Sequence, residues 1–142
     1  MDNFLTLFDV IGELARRRYQ AAERCFAALG LNHTEARLLT LLGQQGGIAT
    51  QDALSNLMFV DRSNAGRALN HLEQAGHIER RKDDGDKRTK LVQITAKGQT
   101  AVGDIAKLRR EMAQHFFGAL TADEAGSVVD LLSKALRNED HA

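Results

Sequence analysis

The segment from residue 61 to residue 95 restricts the possible folds of this chain more than any other part of the sequence. It starts with DRSNAGRALNHLEQAG, in which apolar residues recur at helical spacing. Gly76 ends this predicted helix, because glycine is favoured just past a helix C-terminus. A strongly charged stretch, HIERRKDDGDKRTKLVQIT, follows at once. Few small folds place an amphipathic helix directly before such a stretch.

The charged stretch predicts a β-hairpin with a basic tip. Two short runs with strand character flank Asp84-Gly85, a dipeptide that strongly favours a tight turn. Residues 61–95 contain eight basic and six acidic residues, whereas the whole chain has 19 of each and no net charge. This excess favours an anionic partner only modestly. The predicted strands are His77–Arg81 and Thr89–Ile94, and the predicted tip is Lys82–Arg88.

The residues before this segment predict a helix-turn-helix. A second helix begins at Thr34, which is a good N-cap. After the turn GQQGG and a short apolar stub, Ile48-Ala49, Thr50 can cap a brief third helix. Asp61 is the natural N-cap of the fourth helix, so only the residues MFV separate the third and fourth helices. A connection this short is typical of a helix-turn-helix.

One face of the fourth helix is suited to reading nucleic acid. At about 100° per residue, Ala65, Leu69 and Leu72 share one side, which predicts the core face. The opposite side carries only residues that can hydrogen-bond, and none of them is acidic. Arginine can read guanine, asparagine and glutamine can read adenine, and serine can contact phosphate or base edges. The members of this polar stripe are Ser63, Arg67, Asn70 and Gln74.

Together the helix and the hairpin predict a winged helix. The helix would enter the major groove, and the hairpin would lie on the backbone or in the minor groove. Asp84 is expected to serve the turn. Asp86 is expected to hold the guanidinium of Arg88 by a charge-assisted hydrogen bond. The cations placed to meet the polyanion are Arg81, Lys82, Lys87, Arg88 and Lys90.

The first predicted helix, over residues 3–29, is too apolar to pack against a single core. Its first turns spread apolar residues over an arc of about 220°, against the ~100° stripe of a helix packed on one core. A second copy of the chain is the expected cover. A fifth helix capped by Thr95 and a sixth with a capping box over residues 121–124 are expected to join this dimerisation arm. The candidate interface residues are Phe4, Leu5, Phe8, Ile11, Phe116, Phe117, Leu132 and Leu136, with Val128, Leu132 and Ala135 as the buried side of the sixth helix.

Composition excludes several classes of protein. A length of 142 residues with 43% hydrophobic residues fits one globular domain. The N-terminus lacks the basic region of a secretory signal, and no apolar run approaches the ~18 residues of a membrane span. A single cysteine suits a reducing cytoplasm. An enzyme is disfavoured, because there is no glycine-rich phosphate loop, activated nucleophile or carboxylate pair at catalytic spacing.

The runs VDRSNAGRALNHLEQAGHIERR and DDGDKRTKLVQITAKG resemble the MarR (multiple-antibiotic-resistance regulator) family of bacterial winged-helix transcription factors. The family's D-x-R motif appears as Asp86-Lys87-Arg88, and its T-x-K-G motif as Thr95-Ala96-Lys97-Gly98. The order of the helices is similar over nearly the whole chain. The resemblance implies a homodimer that binds a pseudo-palindromic operator, usually as a repressor, and that is often released by a small ligand.

The resemblance also assigns roles to residues. It implies that Arg88 enters the minor groove with Asp86 as its orienting partner, and that Ser63, Asn64 and Arg67 face the major groove. The fold class is therefore mainly α with a small β-hairpin wing: a single domain, 1–142, with a winged-helix lobe over 34–95 and dimerisation helices over 1–29 and 96–138. The candidate DNA-contacting residues are Arg62, Ser63, Asn64, Arg67, Asn70, Gln74, Arg81, Lys82, Asp86, Lys87, Arg88 and Lys90.

Effector sites and alternatives remain open at this point. A ligand pocket between the lobe and the arm would involve helices one, two and five and would be lined by Arg16, Arg17, Arg18, Tyr19 and His33, although a solvated or salt-bridging surface is the simpler interpretation of the three adjacent arginines. Cys25 is more typical of a small buried hydrophobic residue than of a redox sensor. The histidines lack metal-ligand spacing, so no metal or cofactor is expected. One further alternative is a winged helix that docks proteins, which would favour aromatic anchors on the polar stripe.

Overall fold

The computed structural model describes residues 2–58 and 62–139. Within them it contains six helices and three short strands, which confirms the predicted class of a mainly α winged helix. The predicted cap Asp61 and residues 59 and 60 of the connection lie outside the described residues. The elements are α1 (Asn3–Ala27), α2 (His33–Gln44), β1 (Ile48–Thr50), α3 (Gln51–Met58), α4 (Arg62–Gln74), β2 (Ile78–Lys82), β3 (Lys90–Ile94), α5 (Ala96–Phe116) and α6 (Ala122–Glu139).

The helix boundaries follow local capping, with one correction. Thr95 accepts a hydrogen bond from the Gly98 backbone N–H and caps α5 as predicted. The predicted capping box of α6 is also confirmed. Thr34 was the wrong cap for α2, because Asn32 takes that position. The Asn32 side chain accepts from the Glu35 backbone N–H, and the Glu35 carboxylate accepts from the Asn32 backbone N–H.

The β-structure is larger than the predicted hairpin. Ile48–Thr50, expected to begin with an irregular apolar stub, forms strand β1 and pairs antiparallel with β3. The sheet order is β1-β3-β2, so β3 is the central strand. Val92 on β3 lies between Ala49 on one side and Arg80 on the other, and is fully buried. The sheet thus connects the wing to the start of α3.

The core of the lobe extends into the long helices. Its largest buried side chains come from α2, α3, α4 and the sheet, and each buried leucine contributes roughly 1.5–3 kcal/mol. Ala22 and Phe26 of α1 and Ala101 and Ile105 of α5 belong to the same cluster. Helices one and five, which the sequence assigned to the dimerisation arm, therefore also contribute the second half of α1 and the first half of α5 to the core of the lobe.

The remaining parts of the long helices are uncovered in the protomer. Phe4 is 88% exposed and Phe8 is 77% exposed, and α6 makes almost no contact with the rest of the chain. Val128 and Ala135 of α6, which we expected to be buried, are exposed in the single protomer. We call the first half of α1 together with α6 the arm. No helix in the described ranges is long and apolar enough to cross a membrane.

Candidate nucleic-acid interface

The fourth helix presents the two faces that its spacing predicts. Ala65, Leu69 and Leu72 are at most 1% exposed and pack into the lobe. All members of the polar stripe are exposed, as is the neighbouring Asn64. The side chain of Arg62 lies outside the described part of the chain. The polar stripe is therefore accessible to a partner along the length of α4.

Within this face, Arg67 is already ordered. Its Nη2 atom donates a hydrogen bond to Oδ1 of Asn64, three residues earlier on the helix. A guanidinium held in this way keeps fewer rotamers and loses less conformational entropy on binding. This arrangement suits Arg67 to a directional hydrogen bond with a partner more than to a long-range electrostatic contribution.

A buried carboxylate fixes α4 to the rest of the lobe. Glu35 on α2 is 4% exposed, and its Oε2 atom lies 2.5 Å from Nδ1 of His71 on α4. Its Oε1 atom accepts from the Asn32 backbone N–H at 2.8 Å. Both carboxylate oxygens are thus satisfied, as a buried acid requires. Sequence analysis assigned no role to Glu35, because its partner His71 lies 36 positions away on another helix.

The cations of the wing lie on an ordered turn. The hydrogen bonds that shape this turn differ from the predicted ones. Asp83, not Asp84, accepts from the Gly85 backbone N–H at 3.1 Å. Asp86 does not hold the guanidinium of Arg88. Its carboxylate accepts from the Arg88 backbone N–H at 3.0 Å and from the Thr89 hydroxyl at 3.1 Å. Asp86 therefore shapes the turn that carries Arg88. The cations Arg81, Lys82, Lys87, Arg88 and Lys90 are all exposed.

Arg80 differs from the other wing cations. Residues alternate between the two faces of a strand, so Arg80 shares the inner face with the buried Ile78, and its side chain is only 17% exposed. Its guanidinium donates to Oε1 of Glu73 at 3.0 Å and to Oδ1 of Asn70, and its backbone N–H donates to Oε2 of Glu73 at 3.1 Å. These bonds hold the pKa of Glu73 below its ordinary value. The sequence prediction missed Arg80, although strand alternation gave a signal for it.

The T-x-K-G motif closes the junction between α4, the wing and α5. The Thr95 hydroxyl donates to the Gly76 carbonyl at 2.6 Å, and Lys97 donates to the Ala75 carbonyl. A Cβ atom on Gly98 would lie 2.2 Å from the carbonyl oxygen of His77, so only glycine fits there. The motif thus holds the end of α4 and the start of the wing against α5.

A cavity of about 210 Å³ lies between α1, α2 and α5. Arg18 and His33 line it, as predicted, and two further arginines, Arg37 and Arg109, add positive charge. Burial, and next the charge of Arg18, lower the pKa of His33. No described residue hydrogen-bonds its buried Nδ1 atom. The apolar wall includes Phe26, Leu41, Ile105 and Met112.

The other three predicted ligand residues, Arg16, Arg17 and Tyr19, do not line this cavity. Arg16 and Arg17 both bind Glu13, at 2.6 Å and 2.7 Å, and these bonds lower the pKa of Glu13 to about 2. Tyr19 packs edge-on against the ring of His33 at 5.3 Å without lining the cavity. Cys25 is half-buried, not fully buried. The described residues form no cluster of three or more metal-ligating side chains.

These features define a winged-helix protein with an exposed polar stripe on α4, a basic wing and a long helical arm. A family model described as the MarR family matches residues 29–89. The uncharacterised HTH-type transcriptional regulator YkoM of Bacillus subtilis is 30% identical over 112 residues, which cover 79% of this chain and 72% of YkoM. The chain belongs to the MarR family of transcriptional regulators.

Two further similarities agree with this assignment. The transcriptional repressor MprA of Escherichia coli is 30% identical over 114 residues, which cover 80% of this chain and 65% of MprA. The crystal structure of a mutant of E. coli MarR complexed with operator DNA has a TM-score of 0.78 at 24% identity, covering 96% of this chain and 99% of that one. At that identity the structural similarity shows the fold alone. The relatives are transcriptional regulators, not enzymes.

Proposed function

We propose that this chain binds double-stranded DNA in the cytoplasm as a homodimer and represses transcription from a pseudo-palindromic operator. The observation that carries the proposal is the exposed, acid-free polar stripe of α4 beside a basic wing. Ser63, Arg67 and Asn70 supply the side chains that contact bases and phosphates. The complex of E. coli MarR with operator DNA supports the same use of the shared fold.

The same stripe argues against protein docking as the main function. Protein interfaces concentrate their binding energy in buried aromatic and arginine anchors. The stripe contains one arginine and neither an aromatic nor an aliphatic side chain. Its neighbours on the wing are exposed cations, which suit a polyanion better than a desolvated protein surface.

The uncovered arm supports the homodimer. Phe4 and Phe8 are almost fully exposed in the protomer, and Leu131 and Leu136 of α6 are 68% and 67% exposed. Such a surface is too apolar for a soluble monomer, and a two-fold partner covers the same residues on both copies. Two copies related in this way would present two α4 helices, which matches an operator with two similar half-sites.

Two different observations support the proposed repression and its relief by a ligand. The sign of regulation is supported by the similarity to the repressor MprA. Relief by a small ligand is supported by the cavity, whose three arginines suit an anion and whose apolar wall suits an aromatic ring. Because α1 and α5 lead to the arm and α2 belongs to the lobe, a ligand there would alter the spacing of the two reading helices.

Selection from random DNA duplexes tests the DNA-binding proposal. The purified protein should enrich a two-fold pattern with half-sites about one helical turn apart. Arg67→Ala should lower affinity by ~1–3 kcal/mol and relax the preference at one position of each half-site. Lys107→Ala removes the same charge from an exposed position on α5 and should leave the pattern unchanged. Absence of enrichment at low salt would reject sequence-specific DNA binding.

Benzoate, a minimal aromatic carboxylate, tests the ligand proposal. It should release the wild-type protein from the selected duplex at lower concentration than it releases Arg109→Ala. Arg110→Ala is the matched control, because Arg110 is the next arginine on α5 and does not line this cavity. Equal benzoate sensitivity of Arg109→Ala and the wild type would reject the cavity as the effector site.

A further inference from the structure

Arg80 connects the wing to α4 through a small cluster of side chains. It lies on β2, whereas its two partners, Asn70 and Glu73, lie on α4. Arg80 donates to Glu73 from three nitrogens: its backbone N–H at 3.1 Å, its Nη2 atom at 3.0 Å and its Nε atom at 3.4 Å. Glu73 also offsets the charge of Arg80, so Arg80 is poorly placed to serve as a phosphate contact.

The cluster determines the orientation of the Asn70 amide. A guanidinium can only donate hydrogen bonds, so the Asn70 atom facing it must be the carbonyl oxygen, Oδ1. The amide nitrogen then points away from Arg80. Because Asn70 is exposed on the polar stripe, this nitrogen is the polar atom left free to face a partner. Asn70 thus presents its N–H donors to a partner, while Arg80 occupies one of the two lone pairs of its oxygen and fixes the direction of that oxygen.

This orientation matters for base recognition. Asparagine reads adenine through two bonds at once, since its oxygen accepts from N6 and its nitrogen donates to N7. An oxygen already bound to Arg80 is poorly placed for the first of these bonds. A donor alone is satisfied by an acceptor in the major groove, such as N7 or O6 of guanine or O4 of thymine.

We propose that Arg80 is a positioning residue for specificity: it fixes Asn70 as a hydrogen-bond donor and thereby disfavours adenine at the base that Asn70 reads. The proposal rests on the proposed DNA-binding function. It assigns Arg80 a role different from that of its neighbour Arg81, which is exposed on the opposite face of β2 and has no bond to α4 among the described residues.

The test is a base-preference profile of the full-length protein, measured at every position of the selected half-site. Asn70→Ala first identifies the position that Asn70 reads, because preference should be lost there and kept elsewhere. At that position Arg80→Met should raise relative binding to adenine at least about fivefold, the lower end of what one bidentate base contact contributes. Arg81→Met removes the same charge and should weaken binding evenly without changing any preference.

Arg80→Lys protects the test against a variant that fails to fold. It keeps the ion pair with Glu73 but lacks the planar fork that reaches two acceptors, so adenine binding should rise in the same direction. An Arg80→Met profile that matches the wild type, or that changes evenly at all positions, would overturn the proposal. An unaltered Asn70→Ala profile would also overturn it. A wild-type protein that prefers no sequence would instead reject the proposed function, and with it this inference.

Discussion

The lobe and the arm use apolar residues in opposite ways. In the lobe, Leu38, Leu54, Leu69 and Leu72 are all buried within one chain. In the arm, the largest apolar side chains are mostly exposed, and α6 has almost no contact with the rest of the protomer. The lobe therefore buries its apolar residues within one chain, whereas the proposed homodimer would cover those of the arm with a second copy. The residues that stabilise the fold of one chain are thus different from those available to join two chains.

A charged substitution in the arm should abolish the proposed dimer and leave the lobe folded. Phe8→Glu should convert the dimer into a folded monomer, because truncating a buried phenylalanine costs about 3–5 kcal/mol and a two-fold interface contains the residue twice. Sedimentation velocity measures the mass, and circular dichroism measures the helix content. Thr6→Glu adds the same charge outside the apolar arc of α1 and should remain dimeric. A dimeric Phe8→Glu would show that the first half of α1 is not the interface.

Two glycines on α5 test how closely this helix packs against the lobe. Gly98→Ala should destabilise the protein by about 1–3 kcal/mol or more, because the new Cβ would overlap the His77 carbonyl. Gly103→Ala meets no atom within 4 Å and should stabilise α5 by about 0.5–1 kcal/mol. Chemical denaturation gives both free energies of unfolding. Equal effects of the two substitutions would contradict the close approach at Gly98.

The wing should affect DNA binding without affecting either folding or association. Arg88→Ala should weaken binding across sequences and reduce the slope of log K against log salt by about 1, as expected for one lost phosphate contact. Titrations of the selected duplex at several salt concentrations measure this slope. Lys107→Ala is again the matched control and should leave the slope unchanged. A loss confined to one base position would contradict the role of the wing.

The smallest expected change concerns the pH dependence of stability. The pKa values of His33 and His77 lie below the ordinary 6.5, first because of burial. The unfolded chain then binds more protons than the folded one, so stability should fall as the pH drops through about 6.5. His33→Phe should reduce the difference between unfolding free energies at pH 7.5 and pH 5.5. An unchanged difference would show that His33 does not contribute.

Local patterns predicted most of this fold. Helical spacing gave both faces of α4, and short-range capping signals gave the starts of α5 and α6. The apolar arc of the first helix predicted that half of α1 stays uncovered in one chain, as Phe4 and Phe8 do. Each of these features depends on residues within a few positions of one another.

Two of the features that were missed depend on partners distant in the sequence, and the third depends on the conformation of the hairpin turn. Strand β1 has three residues and exists because β3 pairs with it. The choice of Asp83 and Asp86 over Asp84 depends on how the turn closes, with the Asp83 backbone N–H donating to the Thr89 carbonyl. Arg80 takes its role from residues on α4. Strand alternation indicates which face of β2 Arg80 occupies, but no local pattern identifies its partners on α4 or the pairing of β1 with β3.

Native mass spectrometry of the protein with one duplex carrying the selected sequence tests the central claim most directly. The claim is that the arm joins two copies so that two α4 helices read one operator. The account predicts two chains per duplex for the wild type, and much weaker binding of single chains for Phe8→Glu. A wild-type complex that contains one chain per duplex would contradict it.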